Sequence, residues 1–168
     1  SQSDEYGQRG ADSLMKRLKE KHGMALVAHE VFNVSDTDFT SQVLRARDAR
    51  PDTVIIYSYI APSSTIVRQA KQLGIEAKIL GSNATSSRLY PQVVGESAAG
   101  VLNVITGADL PEANSPVIAK FREEFERANP SLVPQGRPDL ADLLGYGGAM
   151  TLVEGLKRAG RDLTREKF

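Results

Sequence analysis

Residues Pro51 to Leu73 read PDTVIIYSYIAPSSTIVRQAKQL, and this stretch decides the fold of the chain. Its run from Thr53 to Tyr57 is β-branched or aromatic throughout, which predicts a strand buried on both faces of a sheet. A helix signal follows, with Pro62 suited to the first turn and Leu73 on the last buried position. A buried strand that leads directly into a helix is half of a βαβ unit.

The residues that follow this strand are the first place to expect a site. In open α/β sheets, ligands bind beyond the carboxyl ends of the strands. Ser58, Tyr59 and the helix start with Ser63 and Ser64 therefore face any site that this sheet forms.

The rest of the chain alternates between strand and helix patterns. Further strands are predicted at Met24–Phe32, Lys78–Leu80 and Gly100–Ile105. Helices are predicted at Gln8–His22, Ser86–Val94, Ser115–Ala128 and Asp139–Ala159. One more helix, after the first predicted strand, is expected to pack through Phe39, Val43 and Ala46. Short links between alternating elements predict an α/β fold with a doubly wound, mostly parallel sheet in a Rossmann-like α/β/α sandwich. We expect residues 1–168 to form a single lobe.

Composition narrows the function classes. The chain has 168 residues, of which 40% are hydrophobic, and its 21 basic residues balance 21 acidic ones. These values fit one soluble globular domain without the basic stripe that nucleic-acid binding requires. The absence of cysteine excludes disulfides and thiolate metal sites. No apolar run is as long as a membrane span, and the first residues lack a signal peptide, so we expect a mature, cytoplasmic or excised chain.

Motifs for catalysis and for cofactors or metals are weak or missing. His22 and His29 are the two histidines, and neither lies in a recognised catalytic motif. Gly7 and Gly10 match a dinucleotide loop poorly, because a third glycine and a preceding strand are missing. Asp36, Asp38 and Asp48 fit a helix cap and a solvated helix face better than a metal site. We therefore expect no enzyme activity, no cofactor and no metal.

Small hydroxyl, amide and aromatic groups instead gather at strand ends and helix starts. Such groups suit reversible recognition of a small polar ligand, since tyrosine offers both an apolar face and a hydroxyl. The group comprises Tyr6, Ser58, Tyr59, Ser63, Ser64, Ser82, Asn83, Thr85 and Tyr146.

Five motifs in order resemble one protein family. They are Asp4–Gln8, Asp36–Thr40, Pro51–Ile56, Arg68–Gly74 and Gly81–Asn83. Together they resemble the carboxyl-terminal lobe of a type I periplasmic solute-binding protein of the branched-chain amino acid transport group. The resemblance covers nearly the whole chain. It implies the solute-binding component of an ABC transporter, in the periplasm or outside the cell, which binds a small ligand between two lobes and meets a membrane permease.

The resemblance also implies site residues. Tyr6, Tyr59 and Tyr146 match aromatic positions at the family's cleft, and the expected ligand-binding set is Tyr6, Ser58, Tyr59, Ser82, Asn83 and Tyr146. Asn83 stands where branched-chain binders carry a glutamate for the ligand ammonium. A neutral amide makes a weaker hydrogen bond to an ammonium than a carboxylate does. This difference favours an aromatic or aliphatic carboxylate, although a small amino acid bound through another acid stays open.

Two further alternatives stay open at this point. The same lobe type serves in ligand-sensing regulatory proteins, and a small α/β hydrolase could use Ser58 or Ser82 with His29 as base. Only Ser1–Ser3 precede Asp4, where the family has a central strand. An unpaired sheet edge there could be filled by another part of the protein, or by a second copy through strand exchange or homo-oligomer formation.

Overall fold

The computed structural model describes residues 1–105, 115–132, 138–161 and 163–166. The chain divides into two compact units, Ser1–Val104 and Ile105–Phe168, which are described separately below. The expectation that residues 1–168 form a single lobe stays a prediction.

The first unit is an α/β fold with a parallel sheet, as the sequence predicts. Its three strands lie in the order β1-β2-β3, and both pairings are parallel. The strands are β1 (Thr53–Ile56), β2 (Lys78–Gly81) and β3 (Val101–Asn103), and the helices are α1 (Glu5–His22), α2 (Thr40–Asp48), α3 (Ile60–Gln72) and α4 (Tyr90–Val94). The register places Ile56 beside Gly81, and Gly81 beside Asn103. The three carboxyl ends therefore lie at one edge of the sheet.

The second unit contains two helices among its described residues. They are α5 (Pro116–Ala128) and α6 (Leu140–Ala159), close to their predicted bounds. Asp139 caps α6 by accepting from the Ala141 amide, and the side chain of Asp142 accepts from the Asp139 amide. This reciprocal capping box fixes the start of the helix.

One hydrophobic core holds the first unit together. It is built from α2, α3 and α4, from β1 and β2, and from the residues that precede α2. The buried members are Phe32, Phe39, Val43, Ile56, Val67, Ala70, Ile75, Ile79, Tyr90 and Val94. The rings of Phe32 and Phe39 meet edge to face with centroids 5.0 Å apart, a favourable arrangement for aromatic quadrupoles.

Two helices differ from their predicted bounds for local reasons. Helix α1 begins at Glu5 rather than Gln8, because the carboxylate of Asp4 accepts from the Gly7 amide and caps the helix there. Helix α4 begins only at Tyr90, since Asn83–Thr85 first form a 3-10 turn. The 3-10 turn keeps Asn83 at the end of β2.

The strand predicted at Met24–Phe32 is wrong. Met24–Val31 forms no strand, and Phe32 alone makes an isolated parallel bridge, to Gln2. Met24, Leu26 and Val27 remain 54–61% exposed. A strand requires a partner along its length, and the backbone bonds that Ser1 and Ser3 make reach only Glu30 and Phe32, at the end of this segment.

The central strand is confirmed, but its burial on both faces is not. Ile56 is 4% exposed, whereas its neighbour Ile55 is 37% exposed. Among the described residues, β2 is the only strand that pairs with β1. On its other side β1 borders an apolar slot, which we define by Ser1, Glu30, Phe32, Phe39, Val43, Val54, Ile55, Ile56, Ile66, Ala70 and Ile75.

Candidate functional site

The predicted site residues of the first unit meet at the carboxyl ends of β1 and β2. The chain leaves β1 through Ser58 and Tyr59 and leaves β2 through Ser82 and Asn83. Because Ile56 and Gly81 are register partners, these two exits are adjacent. The start of α1 brings Tyr6 onto the same edge, where its side chain contacts both exits.

Tyr6 joins the two strand ends through its hydroxyl. The Tyr6 hydroxyl lies 3.1 Å from Ser82 Oγ and 3.0 Å from Asn83 Oδ1, and its single proton is shared between these two acceptors. The Ser82 hydroxyl donates in turn to the carbonyl oxygen of Ser58 at 3.0 Å. This chain of hydrogen bonds fixes the amide of Asn83 at the end of β2.

Three tyrosine rings form the apolar part of the site. The ring of Tyr6 lies parallel to that of Tyr59, with centroids 5.0 Å apart and 12° between the planes. Its other neighbour is Tyr57, at 4.9 Å and 43°. Tyr59 remains 45% exposed, so an aromatic face borders solvent beside the amide of Asn83.

The two serines at the strand ends are buried. Ser58 is fully buried, and its hydroxyl donates to Gln2 Oε1 at 3.1 Å. Ser82 is 5% exposed and is held between Tyr6 and the Ser58 carbonyl. His29, the base that a hydrolase would need, lies 3.1 Å from Ser1 Oγ. Neither buried serine bonds a histidine in the described part of the chain, which leaves the hydrolase alternative without support.

Ser63, Ser64 and Thr85 serve the core rather than the surface. All three are fully buried. The Ser63 hydroxyl lies 2.7 Å from the Tyr90 hydroxyl, and that of Ser64 donates to the carbonyl oxygen of Ile60 at 2.6 Å. Thr85 bonds Asn103 Oδ1 and the Ser82 carbonyl. The expectation that Ser63 and Ser64 face the site is therefore not met.

Gly7 and Gly10 allow α1 to approach the site closely. A Cβ on Gly7 would overlap the backbone carbonyl of Gln2, and a Cβ on Gly10 would overlap the ring of Tyr57. Both glycines lie inside α1, so they belong to no dinucleotide loop. Their role is to seat the helix that carries Tyr6.

Comparison with known proteins decides the family. The profile described as periplasmic binding protein matches residues 1–168. The chain belongs to the periplasmic binding protein family. A leucine binding protein from Thermotoga maritima superposes with a TM-score of 0.83 at 28% identity, over 98% of this chain and 44% of that one. A substrate-binding periplasmic protein from Ralstonia solanacearum shares the fold, with a TM-score of 0.78 at 24% identity over 99% of this chain and 46% of that one.

Curated relatives carry amino-acid-binding names. A Leu/Ile/Val-binding protein homolog from Brucella abortus is 26% identical over 96% of this chain. A leucine-, isoleucine-, valine-, threonine- and alanine-binding protein from Pseudomonas aeruginosa is 25% identical over 93%. The chain spans only 41% and 39% of the length of these two relatives.

Sequence reasoning missed two residues of this periplasmic binding protein's site. Gln2 is completely buried and contacts Asp4, Ser58 and Tyr59 through its side chain. The sequence pattern predicts Tyr57 only as the end of a strand, yet its ring contacts Tyr6. The sequence signal that could have indicated Gln2 is the position of its long amide side chain, two residues before the helix-capping Asp4.

Burial raises the pKa of the Tyr57 phenol above its ordinary value, and neighbouring Tyr6 adds to the rise.

Tyr146 lies in the second unit of this family member. Its hydroxyl donates to Glu124 Oε2 at 2.6 Å, and its ring centroid lies 5.1 Å from that of Phe121. The hydrogen bond with Glu124 raises the pKa of Tyr146. Whether Tyr146 contacts ligand stays a prediction.

Asp38 lies just before α2 and has a structural role at the start of that helix, although the N-cap position itself is occupied by Phe39 without a side-chain cap bond. Asp38 Oδ1 accepts from the amide and hydroxyl of Thr40 and from Gln69. Within the described ranges, no group of three or more His, Asp or Glu side chains is placed to hold a metal ion. No helix in those ranges combines the length and apolar character needed to cross a membrane.

Proposed function

We propose that this chain is one ligand-binding lobe of a solute receptor that serves an ABC transporter. The lobe binds a small amino acid or carboxylate in a cleft against a second lobe and carries out no catalysis. Residues 1–168 are proposed to belong to this lobe, and the receptor works in the periplasm or outside the cell, where it meets a membrane permease. The family and the names of the relatives support this role.

The observation that carries the proposal is the cluster of Tyr6, Tyr59 and Asn83 at the sheet edge. A stacked aromatic pair that remains partly exposed beside a fixed amide suits an apolar ligand body with one polar end. Ser58 and Ser82 support this surface from below, since their hydroxyls are bonded within the protein. Tyr146 is proposed as a further contact from the second unit.

The hydrogen bonding of the Asn83 side chain favours a ligand that offers a hydrogen-bond acceptor. Its Oδ1 already accepts from Tyr6, so its Nδ2 is the group left to face a ligand. An amide N–H donates to a carboxylate or carbonyl oxygen and repels an ammonium, which itself only donates. We therefore propose that the ligand presents a carboxylate or carbonyl oxygen to Asn83.

A thermal-shift and calorimetric screen of the full gene product tests this function. Leucine, valine and benzoate are compared with 4-methylpentanoate, which is leucine without its amino group. A ligand at 100 times its dissociation constant stabilises the folded state by about 2.7 kcal/mol. We expect saturable 1:1 binding of at least one acid, and weak or no binding to residues 1–168 alone, which lack the second lobe. Failure of every acid to bind the full product would contradict the proposal.

The same screen tests the role of Asn83. If Asn83 faces an acceptor, Asn83→Asp should weaken binding of 4-methylpentanoate, because a carboxylate then faces a carboxylate. The variant should leave the unfolding midpoint of the ligand-free protein nearly unchanged. Unchanged or tighter binding of every acid to Asn83→Asp would contradict the acceptor assignment while leaving the receptor function intact.

A further inference from the structure

Gln2 occupies a position between the two elements that carry the stacked tyrosines. Its side chain is 0% exposed. Its Nε2 donates to both carboxylate oxygens of Asp4, each at 2.9 Å, and Asp4 Oδ1 also caps α1 through the Gly7 amide. Its Oε1 accepts from the Ser58 hydroxyl at 3.1 Å and from the Tyr59 amide at 3.2 Å. The backbone amide of Gln2 donates to the Tyr57 carbonyl.

The two neighbours of Gln2 determine the orientation of its amide. The Tyr59 N–H can only donate, so it requires the oxygen of Gln2. The ionised Asp4 carboxylate can only accept, so it requires the nitrogen. One side chain must therefore offer an acceptor on one side and a donor on the other. A glutamate would set two carboxylates against each other, and a leucine would leave the Tyr59 amide without its acceptor and Asp4 with only the Gly7 amide as donor.

We propose that Gln2 is the residue that positions Tyr6 against Tyr59 for ligand binding, which rests on the proposed receptor function. Tyr6 lies in the first turn of α1, the helix that Asp4 caps. Tyr59 is the residue before α3, and its backbone amide is held by Gln2. The amide of Gln2 thus links the helix start that carries one ring to the turn that carries the other. The ring separation of 5.0 Å at 12° follows from this link.

The charge relation between Gln2 and Asp4 offers a stringent test. Gln2→Glu brings a second carboxylate against Asp4 and should push the two elements apart. In the double variant Gln2→Glu/Asp4→Asn, the amide introduced at position 4 can donate to the carboxylate introduced at position 2, while the amide oxygen still caps Gly7. Asparagine and aspartate are equivalent helix caps. The bonds from Ser58, Tyr59 and Gly7 are then kept, and one of the two bonds between positions 2 and 4 is available with its donor direction reversed.

The first measurement needs no ligand. Near-ultraviolet circular dichroism of residues 1–168 reports the stacked rings, and Tyr59→Leu calibrates the part of the signal that the pair contributes. We expect Gln2→Glu to lose that part, and the double variant to recover it. Gln72→Glu, an exposed substitution at the end of α3, is the matched control and should change nothing. Far-ultraviolet spectra confirm that each variant compared is folded, and Gln2→Asn replaces Gln2→Glu if the latter is not.

The second measurement is ligand affinity in the full gene product. We expect Gln2→Glu to weaken binding by about tenfold and the double variant to restore it. A tyrosine signal and an affinity that both survive Gln2→Glu would overturn the proposal. A double variant no closer to the original than Gln2→Glu would also overturn it. If the unmodified protein binds no acid, the receptor function fails, while the spectroscopic arm still decides whether Gln2 positions the rings.

Discussion

The ring of Tyr6 stacks on the ring of Tyr59 across 53 positions of sequence, with centroids 5.0 Å apart and planes 12° from parallel. Tyr6 is anchored by its hydroxyl to Ser82 and Asn83, whereas Tyr59 is 45% exposed. The pair therefore has one fixed member and one that borders solvent. An exposed aromatic face held by a fixed one is suited to contact an apolar ligand.

Removing the exposed ring tests its contact with ligand. Tyr59→Ala should weaken ligand binding to the full gene product by about fivefold, since aromatic pairs contribute roughly 0.5–1.5 kcal/mol beyond area burial. Tyr59→Phe keeps the ring and should bind nearly as well as the original. Calorimetry measures both affinities. Equal affinity of the alanine variant would show that Tyr59 does not contact the ligand.

Deleting the Tyr6 hydroxyl separates its anchoring role from its stacking. Tyr6→Phe keeps the ring but leaves Ser82 and Asn83 without their shared donor. We expect the free energy of unfolding to fall by about 1 kcal/mol, the usual net worth of a hydrogen bond. The freed Asn83 amide can rotate and offer its oxygen, so selectivity against ammonium ligands should relax. Urea denaturation and the acid screen measure these effects, and unchanged stability with unchanged selectivity would count against the anchoring role.

Gly10 is expected to tolerate no side chain. Gly10→Ala gains about 1 kcal/mol of helix propensity. The added Cβ overlaps the ring of Tyr57, however, and overpacking costs about 1–3 kcal/mol. We expect a net loss of stability in urea and a changed tyrosine spectrum, because Tyr57 must move against Tyr6. Ser13→Ala, on an exposed position of the same helix, is the control and should be neutral or stabilising. A stabilised Gly10→Ala variant would disprove the close approach.

Burial of Tyr90 predicts a loss of stability at alkaline pH. Burial raises the pKa of Tyr90 above its ordinary value of 10.0, although the hydrogen bond with Ser63 lowers it in part. Because the folded pKa exceeds the unfolded one, this contribution to stability is complete below pH 10 and is lost as the pH rises through the folded pKa. Chemical denaturation between about pH 8 and 12 measures the decline.

Two variants isolate this contribution. Tyr90→Phe cannot ionise, so its stability should decline less steeply above pH 10 than that of the unmodified chain. Ser63→Ala removes the bond that lowers the folded Tyr90 pKa, so the decline should still begin near pH 10 but extend to higher pH. A Tyr90→Phe variant with the same alkaline slope as the original would rule out Tyr90 as the titrating group.

Periodicity and strand-end rules explain why much of the fold and site followed from the sequence. The run Thr53–Ile56 gave the strand, and the rule that sites form at carboxyl strand ends placed Ser58, Tyr59, Ser82 and Asn83 at one edge. Both signals are local. The sequence pattern could therefore identify these residues without knowing which side chains meet.

The features that the sequence did not predict depend on contacts between segments that are distant in the sequence. The role of Gln2 depends on hydrogen bonds to Ser58 and Tyr59, which lie 56 and 57 positions later in the sequence. No periodicity in the sequence encodes such distant contacts. Ser63 is buried where α3 packs against Tyr90, and Ser64 is buried where its hydroxyl bonds the Ile60 carbonyl in the first turn of the same helix. The strand predicted at Met24–Phe32 has suitable residues but too short a neighbour, because the backbone bonds of Ser1 and Ser3 reach only its end, at Glu30 and Phe32.

The edge of β1 that borders the apolar slot should accept an added strand. Ser1–Ser3 bond the Glu30–Phe32 backbone on one side and the Tyr57 carbonyl on the other. A strand joined in front of Ser1 would run between Met24–Val31 and β1, and its apolar side chains would enter the slot. It would cover Ile55, which is 37% exposed. We expect a fusion of five residues such as Val-Ile-Val-Ile-Val to raise the unfolding midpoint by several degrees, since about 1 kcal/mol corresponds to roughly 2–4 °C at this size.

Matched fusions show whether strand pairing is the cause. A five-residue Gly-Ser extension has the same length without apolar side chains and should leave the midpoint unchanged. Proline at the central position removes a backbone donor, so it should cancel most of the gain. Size-exclusion chromatography shows whether the unextended chain pairs its β1 edge with a second copy, in which case the apolar extension should return it to a monomer. Equal midpoints for the apolar and Gly-Ser fusions, both monomeric, would mean that this edge accepts no strand.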